Sequence, residues 1–331
     1  MKKIGIIGIG GRTGTMFYSE LKKIAQVFGI GKQFDIDLIK NKKIFARKNK
    51  KEELLEGNLI EESQFPAGID FDFLFLAVKN PVGPIIKYYY QKIKEKNLRP
   101  PALFLSQNGV EAADEAVSVL KEIFREKAKE ISIFRISLFN PVDKQNLNDK
   151  IYISYSLPIK MSMAKVSGFE DEKEAAEIFK KAGFKIYLVP QREAKNMEYS
   201  KFFLNLIGMA SATQGFSAKE GFSKREVFRE EILAIKEYIK TIKAARGKFL
   251  NFPHYPVKCL SLFFSLPLFL LFPFRNIFGK LIEKGREGKM KDLDEVDYYN
   301  GAVVKLGEKI KIETPINKKI LEKAKLCLLK E

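Results

Sequence analysis

The chain opens on an apolar run that empties into a cluster of glycines. Residues 2–10 read KKIGIIGIG, and Gly11-Arg12-Thr13-Gly14 follow at once. From 15 to 28, Met16, Phe17, Leu21, Ile24 and Val27 or Phe28 recur at helical spacing. A buried strand, a glycine turn and a helix, in that order, open a nucleotide-binding fold. Glycines suit the turn because the backbone must bend tightly and approach a pyrophosphate closely. The helix start then offers N–H groups and a positive dipole end to the anion. Gly8, Gly10, Gly11, Arg12 and Thr13 are therefore the candidate cofactor residues. The spacing is irregular: the third glycine comes one position late, with Thr13 in its usual place. A glycine-rich turn without a ligand is the structural alternative.

The rest of the first half continues the alternation. A strand at 43–46 leads into a Lys-rich turn and a helical KEELLEG. FDFLFLAV at 71–78 is an uninterrupted apolar run of strand length, the mark of a strand covered on both faces. A helix is predicted at 82–96 and a strand at 102–106, ended by Gln107-Asn108-Gly109. Further strands are predicted at 131–139, 151–157 and 184–189. From Arg192 the pattern is helical almost to the end, with breaks near 251–256 and 284–293. Alternating strands and helices, then helices alone, predict two domains. Residues 1–190 read as a Rossmann-type α/β domain with a parallel-rich sheet, built to bind a dinucleotide. Residues 191–331 read as an all-α substrate and catalytic domain.

Charge and composition exclude several classes. The net charge is +18, yet the 59 Lys and Arg are spread along the chain among 41 acids. No basic arm or aromatic-basic motif accompanies them, so no nucleic-acid partner is expected. The two cysteines, Cys259 and Cys327, give neither a disulfide framework nor a zinc spacing, and read as buried thiols. No metal is expected. The immediate start of a strand leaves no room for a signal peptide, which predicts a cytoplasmic protein. Residues 259–274 (CLSLFFSLPLFLLFPF) carry no charge, but Pro267 and Pro273 interrupt them. They fall short of the roughly 20 residues of a bilayer span. They read as two short buried helices joined at a proline, so no membrane partner is expected; a homodimer is left open.

Several polar residues stand where chemistry can be placed. Arg47 follows the strand at 43–46, where a cation suits the 2′-phosphate of NADP rather than the hydroxyl of NAD. Lys79 follows the strand at 71–78, at the carboxyl edge where ligands bind such sheets. Asn108 ends the next strand and can orient a nicotinamide, a substrate or a catalytic side chain. Each is equally a plain turn residue in the absence of a ligand. In the apolar segment MEYSKFFLNLIGMASA (197–212), Lys201 and Asn205 share one helical face. A cleft-facing Lys beside an Asn offers a proton and a hydrogen bond to an oxyanion. The bland reading is a lysine reaching solvent. Glu295 borders the apolar stripe of a helix over 294–307, where an acid also suits the helix start. His254, the one histidine, lies in a proline-flanked loop without an acid partner and is a poor catalyst.

These pieces together resemble the ketopantoate reductase family. The resemblance rests on the glycine turn, AVK at 77–79, SQNGV at 106–110, the Lys201–Asn205 pair and, most specifically, EVDYYNGAVV…TPIN over 295–317. PHYPVKCL…GREGKM looks like one branch of that family. The resemblance implies a fold similar to the 6-phosphogluconate dehydrogenases. It implies NADPH as cofactor and a small 2-keto acid as substrate, with ketopantoate reduced to pantoate on the way to coenzyme A. It casts Lys201 and Glu295 as catalytic, Asn108 and Asn205 as substrate-binding, and Arg47 and Lys79 as holders of the cofactor phosphate. The chain also departs from the pattern. Met209 stands where the family often has a second asparagine, and a serine-bearing segment before the glutamate is shortened. These losses favour a second reading, reduction of a different 2-keto or opine-like acid. A third is a non-catalytic nucleotide-binding or membrane-peripheral protein.

Overall fold

The computed structural model describes residues 1–49, 51–286 and 290–329. Lys50 of the basic turn and residues 287–289 of GREGKM lie outside them. The described chain divides into two compact units. The first holds Met1–Gln107 and Glu111–Ala194, the second Asn108–Val110 and Lys195–Glu331.

The first unit contains twelve strands: β1 (Lys3–Ile7), β2 (Gln26–Gly31), β3 (Ile44–Lys48), β4 (Lys51–Leu54), β5 (Asn58–Glu61), β6 (Phe73–Leu76), β7 (Ala102–Leu105), β8 (Ile133–Leu138), β9 (Val142–Leu147), β10 (Lys150–Tyr155), β11 (Lys160–Ser167) and β12 (Lys185–Leu188). Eight of them form one sheet in the order β12-β11-β8-β7-β6-β1-β2-β5. Every pairing in it is parallel except β11 with β8. β6 and β7 are buried at every position, as strands sandwiched between two helical layers must be. Ile7, Leu76 and Leu105 stand side by side, so the loops that follow β1, β6 and β7 leave the sheet along one edge.

Two expectations fail here. The first helix covers only Arg12–Leu21, and residues 26–31 are the second strand of the sheet. Gly29 and Gly31 hid it, because they break the apolar pattern of a strand. They are glycines because the Ile9 side chain packs there: a Cβ on Gly29 would stand 2.7 Å from Ile9 Cγ1. The strand near 43–46 is β3, and it belongs to a separate four-stranded sheet, β4-β3-β10-β9. KEELLEG contains β4 rather than a helix. Its helix-forming residues are overridden by pairing with β3, which sets Glu52 opposite Arg47.

The small sheet rests on the helix Arg12–Leu21, and the contact is locked by a buried charge. Glu20 accepts a hydrogen bond from Tyr155 Oη at 2.8 Å and pairs with Lys48 Nζ at 3.0 Å. Burial alone would raise this carboxyl; hydrogen bonds from Lys23, Tyr155 and Lys48 outweigh it and hold the pKa below the ordinary glutamate value.

The second unit is helical. Its main helices are Ala194–Leu206, Arg225–Ala244, Val257–Phe264, Arg275–Arg286, Asn300–Lys309 and Pro315–Leu328. The predicted helix over 197–212 is broken. Gly208 takes φ +89°, and a short helix, Met209–Ala212, starts beyond it. The buried Glu231 carboxylate holds the break by accepting from the Gly208 and Ser211 amides. The predicted helix over 294–307 is also shorter: a 3₁₀ turn covers Val296–Tyr298, and the α-helix begins at Asn300. Asn300 Nδ2 donates to Asn317 Oδ1 at 2.9 Å, which ties EVDYYNG to TPIN. Glu237 caps the last helix, accepting from the amides of Ile316 at 2.8 Å and Asn317 at 2.9 Å.

Residues 259–274 do form short helices divided at Pro267, but they are buried only in part: Phe264 and Leu271 are buried, whereas Leu262 is 60% and Phe269 69% exposed. Cys259 is exposed too, and both cysteines are free. Among the described residues no helix is long and apolar enough to cross a membrane.

Removing the Glu20 carboxylate takes one of two carboxylate partners from the nearly buried Lys48, which keeps Glu53, and leaves the Tyr155 hydroxyl without its acceptor. Glu20→Ala is expected to lower stability by about 1–3 kcal/mol, and Glu20→Gln by less. Because the folded pKa is depressed, this contribution is complete above the unfolded value and is lost as pH falls through the carboxylate range, below about 4. Thermal melts of wild type and variant should therefore converge in acid.

Candidate functional site

The glycine turn is built by close approach. Gly8 takes φ +89°, and a Cβ there would stand 2.8 Å from both the Ala77 carbonyl oxygen and Val78 Cγ1. Gly14 sits inside the first helical turn with no room for a side chain; a Cβ would run into the Gly8 carbonyl oxygen. Gly14 thus performs the helix-on-strand packing that the third glycine of such motifs performs. The Gly11 amide closes the turn on the Gly8 carbonyl at 3.0 Å. The helix that follows has no side-chain cap and no acid in its first turn. Thr13 is half-buried and Arg12 exposed beside it. Such a turn, with glycine cradle and bare helix start, fits the pyrophosphate of a dinucleotide.

Around this turn the other candidates separate. Lys79 is exposed in the loop after β6, on the carboxyl edge. The loop is pinned by the buried Gln107, whose Nε2 donates to the Leu76 and Val78 carbonyls at 2.8 and 3.1 Å. Arg47 does not stand at the end of the second strand. It belongs to β3 in the small sheet, pairs with Glu52 at 2.7 Å and lies over the Tyr152 ring at 4.3 Å. The basis for a phosphate contact by Arg47 fails, because that position belongs to the end of the strand beside β1, and the strand at 43–46 lies in the other sheet. The true end of β2 carries Lys32, exposed, and then Asp35 in the first turn of the helix Gln33–Lys40. The Asp35 carboxyl fills the space against Gly10, where a Cβ would collide with it. Neither residue was singled out in the sequence, because β2 was hidden.

The second unit gathers residues that are far apart in the chain. Asn108 is half-buried and belongs to this unit, while its neighbour Gln107 belongs to the first. Asn205 Nδ2 donates to Asn108 Oδ1 at 2.9 Å, and Asn108 Nδ2 donates to Glu295 Oε2 at 3.4 Å. Tyr299 Oη donates to the same Glu295 oxygen at 3.2 Å. Lys201 is half-buried on the helix Ala194–Leu206, one turn before Asn205. Lys195, earlier on that helix, donates to the Val110 carbonyl and so holds the segment 108–110. The Lys291 ammonium lies 4.3 Å over the Tyr299 ring. Asn108, Asn205 and Glu295 are thus brought together as a chain of hydrogen bonds. Tyr299, Lys195 and Lys291 are additions, which the sequence pattern did not single out as site residues. Met209 is buried beyond the Gly208 break, so it does not continue the face that carries Lys201 and Asn205.

Residues 277–327 match the family model described as ketopantoate reductase PanE/ApbA C terminal. Solved structures match the whole chain. A PanE/ApbA family ketopantoate reductase from Ralstonia eutropha JMP134 is 15% identical, with a TM-score of 0.73, covering 98% of this chain and 97% of that one. The chain has the ketopantoate reductase fold. A 2-dehydropantoate 2-reductase from Methylococcus capsulatus is 16% identical, with a TM-score of 0.66 over 100% of this chain and 97% of that one. D-mandelate dehydrogenase in a ternary structure with NADH and anilino(oxo)acetate is also 16% identical, with a TM-score of 0.69 over 98% and 97%. Among curated proteins, none matches. The expected pairing of a parallel-rich α/β domain with a helical one stands, and the C-terminal match includes EVDYYNG and TPIN.

Gly14→Ala tests the cradle. It should destabilise the first unit by about 1–3 kcal/mol, the cost of forcing atoms into a packed contact. It should also weaken nicotinamide cofactor binding in a fluorescence titration. Unchanged melting and unchanged binding would mean that the helix does not press on Gly8.

Proposed function

We propose that this protein is a nicotinamide-dependent reductase of a small 2-keto acid, with ketopantoate as the leading substrate. The observation that carries the reading is the Asn205–Asn108–Glu295 hydrogen-bond chain, with Lys201 one turn from Asn205. The glycine cradle supports a dinucleotide site. In this reading residues 1–190 bind the cofactor, with Lys79 on its phosphates, and residues 191–331 bind and convert the acid.

The nicotinamide, when bound, supplies a hydride to the keto carbon. As that bond forms, the carbonyl electron pair moves to oxygen, and the Lys201 ammonium stabilises the developing charge and donates the proton. Asn205 holds the substrate by hydrogen bonding. Asn108 links Asn205 to Glu295, so a shift of one moves the others. Glu295 accepts from the substrate hydroxyl, and Tyr299 fixes the carboxylate oxygen that faces Asn108. Lys201→Ala should lower turnover roughly 10²–10⁴-fold, the scale of a general acid, in an assay following NADPH oxidation with ketopantoate. Near-normal turnover in that variant would sink the assignment of the acid.

For the cofactor we propose NADPH, with Lys32 in the role first given to Arg47. A cation at the end of β2 suits the 2′-phosphate. A second reading, NADH, is favoured by the Asp35 carboxyl against Gly10, since an acid near this edge binds the 2′-hydroxyl. Two variants separate them. If Lys32 reads the phosphate, Lys32→Ala lowers the NADPH:NADH ratio of kcat/KM by about tenfold, the scale of one charged hydrogen bond. If Asp35 selects NADH, that ratio starts below one and rises in Asp35→Asn. Ketopantoate is one member of a panel of 2-keto acids, and the same assay run across that panel ranks it against the others.

A further inference from the structure

Residues 257–282 of the second unit expose large apolar side chains at both of their helical stretches. Leu262, Phe269, Leu270, Phe274, Ile277 and Leu281 are all large, apolar and exposed, with Phe269 at 69% and Leu281 at 63%. Isolated exposed leucines are ordinary, but a cluster of this kind marks a contact surface. Phe263 meets the Phe274 ring edge-on at 5.9 Å and the Phe278 ring at a tilt at 5.2 Å, which fastens the helix Val257–Phe264 to the helix Arg275–Arg286. Phe274, Ile277 and Leu281 then follow at helical spacing along the outer face.

Charge decides what this surface meets. Residues 257–282 contain Lys258, Arg275 and Lys280 and no acid. Lys258 and Lys280 are exposed, and Lys219 is exposed where the helix Ala218–Ser223 packs under Gly279. The next acid, Glu283, accepts from the Lys219 amide at 3.2 Å. A second copy of this chain on a two-fold axis would set the same patch against itself, cation toward cation, with no acid in the segment to offset it. Exposed leucine and phenylalanine on a segment whose own charges are all cationic are the composition of a helix that lies in the headgroup layer of an anionic bilayer. We infer that residues 257–282 dock the protein on an anionic lipid surface. This does not depend on the reductase reading, and it requires no membrane span.

The test uses the full chain and extruded vesicles of phosphatidylcholine alone or with phosphatidylserine. The protein should pellet with the phosphatidylserine vesicles, and added salt should release part of it. Replacing Leu262 and Phe269 together by Ser should weaken this binding by about tenfold or more, the scale of losing two inserted apolar side chains. Both residues are exposed, so circular dichroism and turnover should stay unchanged. Lys258→Gln with Lys280→Gln should weaken binding only where phosphatidylserine is present. Failure to pellet with either vesicle overturns the inference, as does equal binding to both, or equal binding by wild type and the Ser variant. A dimer in light scattering that the Ser variant disperses, without vesicle binding, also overturns it and assigns the patch to a second copy.

Discussion

The first unit depends on one missing side chain. Gly14 lets the first turn of the helix Arg12–Leu21 press against the carbonyl of Gly8. That approach fixes where the helix starts, and so where its bare N–H groups point. It also sets the helix's far end against the small sheet, where Glu20 meets Tyr155 and Lys48. This helix thus shapes the glycine turn at one end and meets the four-stranded sheet along its length. A methyl group at residue 14 would disturb both.

The second unit depends on polar contacts rather than on a close approach. Glu237 caps the helix Pro315–Leu328 and accepts from Asn317 Nδ2 at 2.7 Å, and Asn317 in turn accepts from Asn300. This places the start of the helix Asn300–Lys309, with Tyr299 and Glu295 just before it. Glu231 fixes the Gly208 break at the other end of the helix that carries Lys201 and Asn205. Carboxylates that hold backbone amides, Glu231 buried and Glu237 half-buried, are therefore the supports of the candidate site. Their loss would move the catalytic candidates without touching them.

Much of this was legible in the sequence, for a physical reason in each case. β6 and β7 announce themselves because strands buried on both faces must be continuously apolar. The Lys201–Asn205 pair is visible because one helical turn brings them to one face. Glu295 stood out by its place beside an apolar stripe. β2 was not legible: its glycines exist to admit Ile9, a contact across the fold that leaves no local pattern. KEELLEG has helical composition and became a strand only because β3 lay beside it. Arg47 was misplaced as a consequence, and Lys32 and Asp35 were passed over.

The sequence by itself determined the glycine turn between the first strand and the first helix, the parallel-rich sheet, and the change to helices in the second half. These are set by local geometry, by burial and by the periods of strand and helix. Only the tertiary structure decided that Asn108 belongs with Asn205 and Glu295, that a tyrosine fixes the glutamate, and that Asp35 lies against Gly10 of the glycine turn. It also decided that residues 259–274 face outward. Hydropathy records that a side chain is apolar, whereas exposure depends on whether another part of the chain arrives to cover it.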